Sequence, residues 1–178
     1  MTHSRNTFSN NYQSIRGFTL IELVVVIIIL AIIGVVVAPK FMSLTRDSYQ
    51  ANMQGVAGAI KSATALVHSK CVVDTSCDES AAPAAGNGLG NRIIVQGESI
   101  TLAYGYPRHT AAGIARAINI EDFADGGDFR LTTYTASGRP GLRIRPNQQY
   151  DANDCEIKYS QPLSAGETPF ISIDIDNC

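Results

Sequence analysis

Sixteen consecutive residues, Leu23 to Ala38, carry neither a charge nor a hydroxyl. No other feature limits the chain so strongly. Counted from Phe18 the stretch is 21 residues long, with Glu22 as its one charge. At a helical rise of ~1.5 Å per residue it spans about 30 Å, the thickness of a bilayer core. It is too long for the 7–15-residue apolar core of a secretory signal, and the small residues near Val36–Ala38 that would mark a cut are followed by Pro39. The sequence therefore predicts a helix that enters a membrane and stays on the protein. The total length of 178 residues leaves room for one globular domain behind it.

Glu22 is the anomaly. A carboxylate in a membrane-spanning helix costs roughly 2.5 kcal/mol or more and is a functional candidate by default. At an interface it could snorkel out, but that leaves its spacing from Phe18 unexplained. A cut before Phe18 would supply a partner, because the new α-amino group would be charged at a similar depth.

Gly17-Phe18-Thr19-Leu20-Ile21-Glu22-Leu23, the apolar run and Ala38-Pro39 together resemble the class III signal of type IV pilins and of type II secretion pseudopilins. The resemblance implies a membrane peptidase that cuts between Gly17 and Phe18, followed by methylation of the new N-terminus. Residues 1–17 are then a cytoplasmic leader, and Glu22 is the assembly glutamate. It also implies a helix that loosens in the filament, and Gly34 and Pro39 are the residue types for it: proline removes a helix hydrogen bond and crowds the preceding turn.

Charge and cysteines narrow the rest. Arg5 and Arg16 are the charged residues of the first seventeen, so the positive-inside rule puts that end in the cytoplasm and the remainder outside. Removing the leader leaves 12 basic against 16 acidic side chains, a balance that argues against nucleic acid as a partner. All four cysteines, Cys71, Cys77, Cys155 and Cys178, lie beyond the apolar run, which fits disulfides in an oxidising compartment better than zinc at these spacings. Three pairings are open. Cys71 and Cys77 sit beside a helix end where a turn can join them. Cys155 begins one alternating strand and Cys178 follows another. The pairing expected is Cys71–Cys77 with Cys155–Cys178, and the disulfide-bounded C-terminal region of type IV pilins agrees with it.

Residues 40–70 continue the helix in amphipathic form, with Val56, Ile60, Ala63 and Val67 on one face. Beside them Ala51, Gly55, Gly58, Ala59 and Ser62 form a small-residue stripe, read as tight packing of the helix on a sheet. Ala81 to Asn91 is a connector. Beyond it, Arg92–Val95 and Ser99–Tyr104 flank a Gln96-Gly97-Glu98 hairpin. Strands are further expected at 129–134, 141–145, 155–159 and 171–175, alternating with period 2 so that one face is buried and one is wet. A short helix is expected within Thr110–Phe123. The fold class is α+β: a long helix over 18–70, of which 18–38 is the membrane and filament-core part, packed through its second half on an antiparallel sheet of about four to six strands within a head of residues 71–178.

No catalytic motif appears, no cofactor is implied, and an enzyme is not expected. Asp122, Asp125 and Asp128, or Asp151 and Asp154, could ligate calcium, but Asp and Gly dominate ordinary turns and no metal site is assigned. Tyr104, Tyr106 and His109 are a candidate sugar-stacking patch, set against simple packing of the rings. His68 reads as a boundary residue. Tyr104-Gly105-Tyr106-Pro107, Gly113-Ile114 and Asp122-Phe123 resemble the mannose-sensitive haemagglutinin branch of type IVa pilins. The function implied is a structural subunit that polymerises into surface filaments for attachment, aggregation and haemagglutination. Its partners would be copies of itself, the prepilin peptidase, the inner-membrane assembly machinery, and a host or abiotic surface with carbohydrate as a candidate receptor. It would rest in the inner membrane with its head in the periplasm and then move to the extracellular pilus. A type II secretion pseudopilin or minor pilin is the alternative, disfavoured by Cys178 because major pseudopilins typically lack that disulfide. A monomeric membrane-anchored receptor or enzyme is a more distant one.

Overall fold

The computed structural model describes residues 17–83, 91–146, 155–176 and 178, apart from the side chains of residues 42 and 43. The leader up to residue 16, with Arg5 and Arg16, lies outside the described residues, as do Asp151 and Asp154 and most of the 81–91 connector. Among the described residues, the α-helix α1 (Leu20–Val73) is followed by seven strands and two short helical turns, Ala111–Ala115 and Phe123–Asp125. β1 (Arg92–Val95), β2 (Glu98–Ala103) and β3 (Tyr106–Pro107) form one sheet in that order, and β4 (Arg130–Ala136), β5 (Arg139–Arg145), β6 (Glu156–Ser160) and β7 (Phe170–Asp174) form a second. Every strand pair is antiparallel. The class is α+β, with two sheets where the sequence suggested one. The chain divides into two units after Ser43.

Three turns set the strand register. Gln96-Gly97, Tyr104-Gly105 and Ser137-Gly138 each have positive φ at both residues, the two-residue geometry whose twist matches that of the flanking strands, and its second position suits glycine. The helix expected within Thr110–Phe123 is present in short, kinked form over Ala111–Ala115 and the two residues after it, with Gly113 far from helical angles at φ −103° and ψ −108°. Ile114 and Ala115 are nevertheless buried. The turn thus anchors the crossing between the sheets without being a full element.

Within the unit Leu44–Cys178, α1 lies along both sheets. Met53, Val56, Ala57 and Ile60 pack with Leu142, Ile144, Ile157 and Tyr159 of the four-stranded sheet. Two to three turns beyond Ile60, Val67 and Cys71 pack with Ile93, Ile100 and Leu102 of the other. A spacing of three to four residues along the helix keeps these on one face. The fully buried Tyr159 sends its hydroxyl across to the Pro107 carbonyl at 2.6 Å, and burial pushes that phenol's pKa far upward.

Two expectations are corrected. The small-residue stripe does not pack on a sheet: Ala51, Gly55, Gly58, Ala59 and Ser62 are all exposed, and a Cβ on Gly55 or Gly58 would meet nothing within 4 Å. The one-face-wet pattern also fails on the second sheet. β6 is central, so Glu156 and Ser160 are buried along with Ile157 and Tyr159, with Arg143 and Arg145 of β5 against Glu156 and Tyr134 of β4 against Ser160. On the edge strand β7, Ile173 is 39% exposed although its position faces the core side.

Candidate functional site

The sequence leads first to the N-terminal unit. Phe18 and the apolar residues Leu20 to Val36 of α1 are exposed in the subunit on every side of the helix. A helix that is apolar all round is stable only when something covers it, which means lipid or other protein. Its length and composition suffice to cross a membrane. Gly34 and Pro39 both lie inside the helix, and α1 runs on through Pro39.

The helix start is chemically specific. Thr19 is the residue before Leu20, and its backbone N–H and its hydroxyl each donate to Glu22 Oε2 at 2.8 Å. The Glu22 backbone N–H in turn faces Thr19 Oγ1 at 3.3 Å. This is a reciprocal capping box, satisfying helix-end donors that otherwise have no partner. Sequence reasoning placed Glu22 but missed the box, although Thr-x-x-Glu ahead of an apolar run is its signature. Gly17 and Phe18 precede the cap as exposed, irregular chain.

At the far end of α1, Cys71 is bridged to Cys77, with a Cα–Cα separation of 5.2 Å. Inside this loop Asp74 accepts hydrogen bonds from the Ser76 hydroxyl and N–H, and these hold its carboxyl below the usual range. Cys155 is bridged to Cys178 at a Cα–Cα separation of 4.7 Å. That bond fixes the C-terminal tail, and α1 grips the same tail: Arg46 donates to the Asp176 carbonyl at 2.5 Å and Gln50 to the Ile175 carbonyl at 3.1 Å.

The other candidates disperse. Tyr106 stacks on His68 of α1, with centroids 4.1 Å apart and planes 8° from parallel, while His109 bonds Gln161 at 2.6 Å. Two rings of the candidate patch, those of Tyr106 and His109, are therefore engaged within the subunit. Asp122 spends both carboxylate oxygens on backbone N–H groups, those of Ala124 at 2.8 Å and Leu131 at 2.6 Å, as a turn-former does. Among the described residues, no three His, Cys, Asp or Glu side chains come together as a metal-holding group.

A cluster that sequence reasoning did not single out lies on the four-stranded sheet. The Glu156 carboxylate meets Lys158 at 2.5 Å, Arg143 at 2.9 Å and Arg145 at 2.9 Å. Burial works to raise its pKa, but the hydrogen bonds from Lys158 and Arg145 and the charge of Arg143 win, and the net shift is downward. The signal was present in the alternation of Arg143 and Arg145 opposite Glu156 and Lys158. It became a cluster only through the β5–β6 register.

Residues 13–38 match the family model of the prokaryotic N-terminal methylation motif. The chain is 35% identical over 89 residues to the type IV narrow pilus major component PilA5 of Thermus thermophilus, an alignment covering 49% of this chain and 77% of that protein. No solved structure matches the chain.

Proposed function

The chain belongs to the type IV pilin family, and from that premise we propose that it is the major subunit of a type IV pilus. Its role is structural and not catalytic. The observation that carries the reading is the all-round apolar, uncovered helix from Leu20 to Val36, which a bilayer covers before assembly and neighbouring copies cover afterwards.

In this reading residues 1–17 are a leader removed by a prepilin peptidase between Gly17 and Phe18, and Phe18 is then N-methylated. Residues 18–38 first span the inner membrane, with the leader in the cytoplasm and the head in the periplasm, and then line the filament core. Glu22 selects the incoming subunit by pairing with the Phe18 amine of a neighbour. Gly34 and Pro39 are where the helix loosens on assembly, because Pro39 supplies no N–H to hold that turn. Residues 18–70 are the long helix, and 71–178 are a head outside the core, held by its disulfides. The filament serves attachment, aggregation and haemagglutination on a host or abiotic surface, as in the mannose-sensitive haemagglutinin branch. The Cys155–Cys178 bridge favours this over a pseudopilin.

Electron microscopy of filaments sheared from cells, followed by mass spectrometry, tests the proposal. One dominant subunit of this sequence is expected. Trace amounts within filaments of another subunit would reassign the chain as a minor pilin, and its absence from surface filaments would overturn the reading.

A further inference from the structure

The three-stranded sheet has an outer face that the subunit leaves open. Ile93, Ile100 and Leu102 pack with Val67 and Cys71 of α1, so the alternate residues Arg92, Ile94, Ser99 and Thr101 point away from the helix. Arg92 lies opposite Thr101 across β1 and β2. Arg108 follows β3, one step beyond the Leu102–Pro107 pair, and its N–H donates to the Thr101 carbonyl at 2.9 Å. Arg92, Thr101 and Arg108 therefore form one cross-strand row, and two strand spacings set the arginines about 10 Å apart. Among the described residues neither guanidinium meets a carboxylate or a hydrogen-bond acceptor, and the Arg108 Nε is buried without one. Such an orphaned donor calls for an explanation, and an acceptor from outside the subunit supplies it. Beside Arg92 on the same face, Ile94 is 61% exposed.

A complementary feature stands on the crossing between the sheets. The short turn Phe123–Asp125 carries Phe123 at 49% exposure, with Glu121, Asp125 and Asp128 exposed around it. Among the described residues no Lys or Arg pairs with these three carboxylates. The turn is fixed from within. Asp122 accepts from the Ala124 and Leu131 N–H groups, and the Phe123 N–H donates to the Phe129 carbonyl at 2.6 Å. Gly127 packs so closely that a Cβ there would lie 2.2 Å from the Glu121 carbonyl oxygen. An aromatic ring on so rigid a support loses little freedom on docking, and aromatic and Arg side chains are the usual anchors of a protein interface.

We propose that the Glu121–Asp128 turn of one head docks on the outer face of the three-stranded sheet of a second copy of this chain. Phe123 covers Ile94, and carboxylates of the turn pair with Arg92 and Arg108. Charge complementarity picks the occupant, since the open cations of the one patch match the open anions of the other. Two different patches make a head-to-tail contact, the kind that propagates along a polymer and does not close as a dimer. The inference rests on the filament reading and adds a head contact to it. A free polyanion is the weaker fit. Residues 44–178 hold eleven Lys and Arg against fifteen Asp and Glu, a balance that repels it, and it brings no apolar group for Ile94.

The test uses the full-length chain in piliated cells. Ile94→Cys with Phe123→Cys alters two exposed residues and leaves every charge in place. Filaments of this double variant, oxidised and run without reductant, are expected to give a ladder of multimers joined through positions 94 and 123, while each single variant stays monomeric. A double variant that stays monomeric would overturn the contact, and so would dimers from a single variant, which signal a two-fold contact instead. Charge is tested separately. Asp125→Arg with Asp128→Arg sets like charges against Arg92 and Arg108 and is expected to lower sheared-filament yield about tenfold, and adding Arg92→Glu to recover much of the loss. An unchanged yield, or a triple variant no better than the double, would sink the proposal. So would Arg92→Glu filaments of normal yield that have lost retention on a heparin column, since the face would then be a polyanion site. Cells in which the wild-type chain makes no filament would instead sink the filament reading.

Discussion

Thr19 and Glu22 hold each other across the first turn of α1: Thr19 gives its N–H and its hydroxyl to one carboxylate oxygen, Oε2, and its Oγ1 faces the Glu22 N–H. Glu22 therefore has a use inside its own subunit, and any filament role must be separated from it. A cap is worth about 1 kcal/mol, and the membrane supplies most of the helix's stability. Thr19→Val, which removes the hydroxyl, is expected to leave piliation near wild type. On the proposed pairing, Glu22→Ala or Glu22→Val removes the mate for the incoming amine, whose value would lie in register more than in raw stability. Those variants should insert and be cut, yet make few or no filaments. Counting sheared pili from the two sets checks this; equal losses would reduce Glu22 to a helix cap.

Processing has a direct readout. Gly17 and Phe18 lie before the cap in exposed, irregular chain, the conformation a peptidase can reach. Intact-mass measurement of shed filaments is expected to give a subunit that begins at Phe18 and carries one methyl group. A subunit retaining residues 1–17, or one starting after Ala38, would refute the assignment.

The apolar run, the Val56–Ile60–Ala63–Val67 face and the alternating strands were legible because each is a local pattern with one physical outcome. The two sheets were not, since nothing in Tyr106-Pro107 announces that β3 ends after two residues and hands over to an irregular crossing. The exposed stripe of Gly55 and Gly58 was misread for a related reason: small residues mark close approach, but the sequence does not say to which partner. The Glu156 cluster needed the register of β5 against β6, a long-range fact. In Thr19-x-x-Glu22 the local signal is sufficient: a Thr three residues before a Glu, ahead of an apolar run, marks a capped helix start.

The two disulfides should differ in weight. Cys155 and Cys178 are 23 residues apart and Cys71 and Cys77 only 6, so the chain-entropy model gives about 3 and about 2 kcal/mol. Cys178 is also buried, at the end of the tail that Arg46 and Gln50 grip. Cys178→Ser is expected to lower the head's denaturation midpoint and the surface pilus yield more than Cys77→Ser does. Non-reducing peptide mapping should recover Cys71–Cys77 and Cys155–Cys178 peptides. A Cys71–Cys155 or Cys77–Cys178 peptide would show that the head is misread.

Glu156 makes the head's stability depend on pH in a stated direction. Its folded pKa lies below the ordinary 4.5, so its contribution is present above that value and is lost as pH falls through the folded pKa. Its three partners are each partly exposed, which discounts the loss on removing the carboxylate to about 1–3 kcal/mol. Glu156→Gln should therefore unfold at lower denaturant than wild type at pH 7. The gap should close as the pH falls through the lowered folded pKa, where the native carboxylate also takes up a proton. A gap that stays constant from pH 7 to pH 3 would mean that packing, not charge, is at stake.

Gly55 and Gly58 separate the monomer's requirements from the filament's. Both sit in the interior of α1, exposed, with open space where a Cβ would go. Glycine in a helix interior costs about 1 kcal/mol relative to alanine, and nothing within the subunit explains why two such positions should be kept small. In the monomer, Gly55→Ala and Gly58→Ala should each raise thermal stability, and Gly55→Leu should be tolerated. If neighbouring copies approach the helix along this stripe, Gly55→Leu should still cut pilus yield sharply while subunit level and disulfide formation stay at wild type. Thermal unfolding of the detergent-solubilised subunit, set beside filament counts from the same variants, decides between the two. Full piliation with leucine at position 55 would show that the stripe is merely solvent-facing in the filament, and that its glycines serve no close contact.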